Sequence, residues 1–237
     1  MLLIAAAALA LIVANSGFYD TYHHLLDDEI GPILPFHGPT NLHFWINDAL
    51  MAVFFLLVGL EIKREFVDGR LSTWNQRRLP VIAAASGMLF PALVYLFVAS
   101  GEPGLYNGWA IPAATHIAFA IGVLALLGKR APTSLKLFLT TVAIVDDMGA
   151  VAIIAFAYTP AINTLALGIA AAILFLIYAM GKSGVTRLPV FMIAAAALWY
   201  AVLASGVHAT IAGVLAAAAI PVVKTPGSPD CAESPLH

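Results

Sequence analysis

Eight apolar runs, separated by short polar connections, dominate this sequence and leave few folds open to it. A helix needs about 20 predominantly apolar residues to cross the hydrocarbon core of a bilayer. Hydrophobic residues make up 62% of the chain and charged residues only 10%, whereas soluble domains carry about 25% charged residues. We therefore predict an all-α polytopic membrane protein, with transmembrane helices at residues 1–16, 44–60, 79–99, 109–128, 137–158, 165–180, 188–205 and 207–223.

The basic residues occur only after every second apolar run. All 11 lysines and arginines of the chain fall into four groups, namely Lys63, Arg64, Arg70, Arg77 and Arg78; Lys129, Arg130 and Lys136; Lys182 and Arg187; and Lys224. Because cytoplasmic loops carry an excess of lysine and arginine, both termini are predicted to lie in the cytoplasm and residues 17–43 outside. Residues 1–223 then form one transmembrane domain, and residues 224–237 form a polar cytoplasmic tail.

Two consecutive carboxylates, Asp146 and Asp147, lie near the middle of the fifth run. An ionisable side chain at the centre of a membrane helix costs about 2.5 to 3.5 kcal/mol on insertion scales, which makes it a candidate functional group. Neighbouring helical residues point about 100° apart, so the two acids should face different partners. The alternative, in which both only hydrogen-bond to adjacent helices, would double an already high cost for no function.

The fourth run contains residues that weaken a helix at mid-depth, namely Pro112, Thr115 and Gly122, together with His116. Broken helices are tolerated in membranes where protein or a water-filled cavity satisfies the freed backbone groups. Counted from opposite ends of antiparallel helices, His116 and Asp147 reach similar depths. We therefore predict an ion site at this break, while His116 bonded to a neighbour's carbonyl remains an open alternative.

Four further ionisable residues lie near the ends of predicted helices: Asp48, Glu61, Glu65 and His208. Asp48 is either part of an ion funnel or simply solvated. Glu61 and Glu65 stand beside Lys63 and Arg64, which is also typical of a solvated charged face. Histidine is the side chain best suited to respond to physiological pH, but for His208 a structural polar contact is the alternative that its position favours.

These residues belong to strings that resemble the NhaA family of sodium/proton antiporters. The strings are WINDALMAVFF at 45–55, GLE at 59–61, AIPAAT at 110–115, VDD at 145–147 and SGVHAT at 205–210. The resemblance extends over nearly the whole chain, and the strings are long enough to be specific.

The resemblance implies an inverted-repeat antiporter fold, of which this chain would supply about eight helices with a discontinuous fourth. It implies electrogenic exchange of sodium or lithium for protons across the cytoplasmic membrane, for sodium and pH homeostasis. Sodium would bind at Asp147 and Asp146, with Thr115 and His116 at the broken helix, and the pH response would involve Glu61, Glu65 and His208. No cofactor is expected beyond the transported ions. The expected partners are membrane lipid and, at most, a second copy in a homodimer, with no nucleic acid.

The chain departs from the family pattern at two points. His116 stands where the family has an aspartate, so the usual negative charge near the positive half-helix ends is missing. The family also continues for about four more helices, which carry the partner broken helix and the lysine that pairs with Asp146. The chain is therefore expected to be C-terminally truncated, and to be inactive or nearly so by itself.

Two other classes of protein compete with a functional antiporter. An intramembrane aspartyl protease also uses two buried aspartates, but it needs them on separate helices with a glycine before one of them, whereas Asp146 and Asp147 are adjacent and follow Val145. The more serious alternative is a non-transporting truncated membrane fragment of such an antiporter. A secondary transporter rather than an enzyme is expected in either case.

Overall fold

The computed structural model describes residues 2–35, 38–68, 74–101, 103–113, 117–127, 132–157, 163–185 and 187–221. The α-helices in these ranges are α1 (Leu2–Ala14), α2 (Tyr19–Asp27), α3 (Leu42–Phe44), α4 (Met51–Asp68), α5 (Trp74–Val98), α6 (Ile117–Leu126), α7 (Thr133–Ala157), α8 (Thr164–Lys182), α9 (Leu188–Ala204) and α10 (Ile211–Ala219). A π-helical turn, Trp45–Leu50, joins α3 to α4. Short 3-10 turns occupy Ala99–Gly101, Pro103–Gly108 and Ile111–Ala113.

Within the described part of the chain, three helical segments are long and apolar enough to cross a membrane: Leu42–Val67, Arg78–Gly101 and Thr164–Lys182. A fourth span would require α1 and α2, which meet at a bend of 114°, to cross together. The shorter helix α9 is also apolar. The prediction of an all-helical membrane protein is therefore confirmed, whereas the number of eight spans stays a prediction.

The chain divides into two compact units, and each contains parts from both halves of the sequence. The first comprises Met1–Asn47 and Pro80–Phe156, and the second comprises Asp48–Leu79 and Ala157–His237. In the first unit, α1 packs against α2 and α6, and α2 packs against α3. The single transmembrane domain at residues 1–223 and the polar tail at residues 224–237 stay predictions.

The core of the second unit is built from four helices, α4, α8, α9 and α10. Small and branched apolar side chains fill it: Leu56, Ala170, Ile177, Phe191, Ala195, Leu198, Ala201, Val202, Ala212, Ala216 and Ala217. Lipid tails are as apolar as these side chains, so close packing rather than hydrophobicity must hold such helices together. Alanines at the contacts permit that close packing.

Helix α2 lies in the segment 17–43, which the sequence predicts as an external connection between the first two spans. It begins with Tyr19 and carries Asp20, His23, His24 and Asp27, so its composition suits a polar surface and not lipid. The Nδ1 atoms of His23 and His43 lie 3.2 Å and 3.4 Å from the carboxylate oxygens of Asp27. Hydrogen bonding to His23, and then to His43, lowers the pKa of Asp27. This exposed cluster ties α2 to α3.

Helix α10 is shorter than the predicted eighth span of residues 207–223. It covers nine residues, which is about 13 Å at 1.5 Å per residue, against about 30 Å of hydrocarbon. Pro221 explains its end, since the residue before a proline is pushed out of the helical region. Ile220 accordingly has φ −64° and ψ 128°. A turn at residues 205–210 delays its start.

Candidate functional site

The carboxylates Asp146 and Asp147 lie at mid-length of α7, as predicted from the sequence. Asp146 is buried, with 3% of its surface exposed, and Asp147 is half-buried. Because successive helical residues point about 100° apart, the two carboxylates face different surroundings. A single helix thus presents two carboxylates to two environments, both of them well away from its ends.

The Met88 side chain of α5 reaches α7 near Asp146. Gly149 lies three residues after Asp146, on the same face of the helix. A Cβ atom on Gly149 would come within 2.5 Å of the Met88 Cε atom and 2.8 Å of its sulfur. Ala143 and Val151 on α7 are also buried. Asp146 therefore occupies a buried position close to the Met88 side chain, where a carboxylate is costly without a function.

Thr115 and His116 lie outside the described residues. The structure describes the 3-10 turn Ile111–Ala113 before them and α6, Ile117–Leu126, after them. The proximity of His116 to Asp147 therefore stays a prediction.

His208 is presented by a tightly built turn between α9 and α10. Ser205, which is fully buried, donates its hydroxyl to the Val202 carbonyl at 2.6 Å, and its own carbonyl accepts the Asn163 amide at 2.9 Å. Gly206 has φ +83°, a left-handed conformation that glycine adopts without steric cost. The His208 carbonyl then accepts the Ile211 amide at 3.1 Å and starts α10.

Asp48 lies in the π-helical turn and is held by groups from α9 and from the turn before α10. The Trp199 indole nitrogen donates to the Asp48 backbone carbonyl at 2.8 Å. The His208 Nδ1 atom lies 3.8 Å from the Asp48 Oδ1 atom, which is too long for a hydrogen bond but close enough for an ion pair when the imidazole is protonated. Single π-turns occur frequently at functional sites. The structure thus brings Asp48 and His208 together.

Glu61 and Glu65 lie towards the other end of α4. They are 13 and 17 residues beyond Asp48, which corresponds to roughly 20 to 25 Å along a helix. Glu61 is exposed and Glu65 is half-buried. The four residues predicted for a pH response or ion funnel therefore form one close pair, Asp48 with His208, and two acids at a distance.

Sequence reasoning missed the long-range contacts of two residues in the second unit, Trp199 and Lys63. Trp199 is 151 residues from Asp48, and Lys63 is 155 residues from the Ala218 carbonyl to which it donates. No spacing rule connects residues that far apart. The only available signal was chemical, since a buried indole or ammonium group requires an acceptor.

Replacing Trp199 with phenylalanine is expected to destabilise the second unit. Phenylalanine keeps an aromatic ring but loses the hydrogen bond to Asp48, so we expect a loss of at least about 0.5 to 1.5 kcal/mol. Thermal unfolding in detergent measures this loss of stability. Trp74→Phe is the matched control, because Trp74 is 73% exposed. Equal melting temperatures for Trp199→Phe and the unaltered chain would contradict a stabilising role for this bond.

Apolar helices of membrane-spanning length define an integral membrane protein, and it carries one buried and one half-buried carboxylate at the middle of a helix. The sequence identifies which family this is. It matches the model of the Na+/H+ antiporter 1 family over residues 1–236, and the chain belongs to that family. The family consists of secondary transporters, not enzymes.

The chain is similar to several bacterial proteins that are named as Na(+)/H(+) antiporters. The chain is 67% identical to the Na(+)/H(+) antiporter NhaA of Sphingopyxis alaskensis, over 100% of this chain and 56% of that protein. It is 65% identical to Na(+)/H(+) antiporter NhaA 1 of Novosphingobium aromaticivorans, with the same coverage. The NhaA protein of Pseudomonas entomophila is 60% identical over 93% of this chain. The chain thus spans little more than half the length of these relatives.

Proposed function

We propose that this chain supplies the ion-binding helices of a protein that exchanges sodium or lithium for protons, electrogenically, in the bacterial cytoplasmic membrane. The observation that carries the proposal is the pair Asp146 and Asp147 at the middle of α7, one buried and one half-buried. A carboxylate in that position binds either a proton or a cation, and competition between the two couples their movements. Family membership supports the same ions.

The proposed architecture is the one that the resemblance implies. About eight helices span the membrane with both termini in the cytoplasm, and the fourth is broken near Thr115 and His116. The 3-10 turn at Ile111–Ala113, followed by the ten-residue helix α6, is compatible with a break there. Asp147 is proposed as the principal sodium ligand, with Asp146 beside it.

The proposed pH response involves Asp48, Glu61, Glu65 and His208. The 3.8 Å separation of His208 and Asp48 supports the proposal for these two residues, because protonation of the imidazole would convert a polar contact into an ion pair. Glu61 and Glu65 are proposed on resemblance alone.

Sodium-driven collapse of a pH gradient in everted vesicles tests the proposed function. Two proteins are compared: the 237-residue chain, and a chimera that adds the part of the Sphingopyxis alaskensis relative that this chain does not match. We expect sodium and lithium to collapse the gradient in vesicles that contain the chimera, and potassium to have no such effect. A chimera that is folded and membrane-inserted but leaves the gradient intact would contradict the proposal.

His116 should weaken the apparent sodium affinity of the exchanging protein. The N-terminus of a half-helix carries roughly half a positive charge and favours an anion, which a histidine never supplies. Near its unperturbed pKa of about 6.5 it becomes cationic instead. We expect His116→Asp to lower the sodium concentration for half-maximal exchange, with a difference that widens from about pH 8.5 to pH 6.5. Identical values across that range would mean that His116 is only a structural contact.

A further inference from the structure

Lys63 of α4 binds the end of α10. Its ammonium group donates to the Ala218 carbonyl at 2.6 Å and to the Ile220 carbonyl at 2.5 Å. The side chain is half-buried. These two bonds join residues that are more than 150 positions apart in sequence. They therefore fix α4 against the end of α10.

The end of α10 needs a donor from elsewhere in the chain. The last carbonyls of any helix lack intrahelical partners, and Pro221 has no N–H group to offer the Ala217 carbonyl. Lysine near a helix C-terminus satisfies such carbonyls and also complements the negative end of the helix dipole. Helix α10 has no ionisable side chain of its own, and the charges near Lys63 on α4 are Glu61, Arg64 and Glu65.

Between its two ends, α10 lies very close to α4. A Cβ atom on Gly59 would be 2.7 Å from the Ala217 Cβ atom, and one on Gly213 would overlap the Ala52 carbonyl oxygen. Small residues allow helix backbones to approach in this way in membranes. Because packed helices shift as units and do not deform continuously, a displacement at the Lys63 end should reach the His208 end, about three turns away.

We propose that Lys63 is a positioning residue for ion exchange: its ammonium group fixes the end of α10, and thereby holds His208, just before the start of the same helix, beside Asp48. The role in exchange rests on the proposed function, whereas the mechanical link between the two ends of α10 does not. At the other end of α10, His208 faces Asp48 in the π-helical turn, and the Trp199 indole on α9 donates to the Asp48 backbone carbonyl.

Hydrogen exchange of the purified full chain in lipid nanodiscs tests the mechanical link. In Lys63→Met and in Lys63→Leu, which have no donor, we expect amides at residues 209–213 to exchange about tenfold faster, because the whole of α10 is released. Lys63→Arg keeps a donor and a positive charge and should restore protection. The matched control is Lys182→Met, which removes an exposed lysine at the end of α8.

Faster exchange confined to the amides of Ala219 and Ile220 would make Lys63 a local helix cap and overturn the proposal. Should one of the two neutral variants not be recovered folded, the other gives the decision. Protection at 209–213 that is lost equally in Lys63→Arg would also overturn it, because the role would then not depend on donation to the carbonyls.

The pH profile of sodium-driven exchange, measured in the chimera, tests the role in transport. Lys63→Met is expected to shift the pH of half-maximal exchange by about half a unit or more, with Lys63→Arg and Lys182→Met close to the unaltered protein. An unshifted profile with α10 released would show that Lys63 is only structural. If neither the unaltered chimera nor its variants exchange sodium, both the proposed function and the role of Lys63 in exchange are contradicted. Hydrogen exchange of the chain still decides whether Lys63 holds α10.

Discussion

Asp147→Asn is expected to reduce sodium-driven collapse of the pH gradient to the level of vesicles without the protein. The substitution preserves the size of the side chain but removes the negative charge that attracts sodium and the site that takes up a proton. Both halves of the exchange cycle fail together. The measurement is collapse of the pH gradient in everted vesicles that contain the chimera described above.

The matched control for this substitution is Asp20→Asn, the same change at an exposed position of α2. It should leave exchange unaltered. Asp147→Glu keeps the charge but moves it, and should retain partial activity with weaker sodium affinity. Exchange at a near-native rate in Asp147→Asn, with normal amounts of protein in the membrane, would rule out Asp147 as the principal ion ligand.

Among glycine-to-alanine substitutions in the second unit, Gly213→Ala is expected to destabilise the fold most. The new Cβ atom would overlap the backbone carbonyl oxygen of Ala52, which cannot rotate away as a side chain can. Helices α4 and α10 must separate to admit it. Overpacking of this kind costs about 1 to 3 kcal/mol, which should lower the melting temperature by about 2 to 12 °C.

Gly168→Ala provides the comparison, because Gly168 lies inside α8 with open space where its Cβ atom would be. There the substitution should be neutral or should stabilise the protein by about 0.4 to 1 kcal/mol, since alanine favours a helix. Similar melting temperatures for the two variants would show that α4 and α10 are not in close backbone contact.

Helix positions were largely predictable where hydropathy and local signals agree. The predicted spans 165–180 and 188–205 correspond to α8 and α9, Thr164–Lys182 and Leu188–Ala204. The Asn163 side chain accepts the Leu165 and Ala166 amides and marks the start of α8, as an asparagine N-cap should. Pro189 lies in the first turn of α9, where a missing N–H has no cost.

Features that depend on distant parts of the chain were not predictable from the sequence. The segment that forms α2 was interpreted as a connection between spans, because it is polar. Hydropathy detects helices that lie in lipid and not those on a polar surface. The contact between Asp48 and His208 spans 160 positions of sequence. The position of Asp146 and Asp147 at mid-helix was predictable from the length of the apolar run. Thr115 and His116, which are predicted to share the ion site with them, lie outside the described residues.

The π-helical turn at Trp45–Leu50 has a consequence for how this helix can change in evolution. A π-turn bonds residue i to residue i+5 in place of i+4, so it accommodates one residue more than the α-helix on either side. A one-residue deletion there would restore α-geometry without shifting Gly59 or Lys63 against α10. The segment around Asp48 can therefore vary in length while the tightly packed remainder of α4 keeps its alignment, and relatives that differ by one residue should differ here.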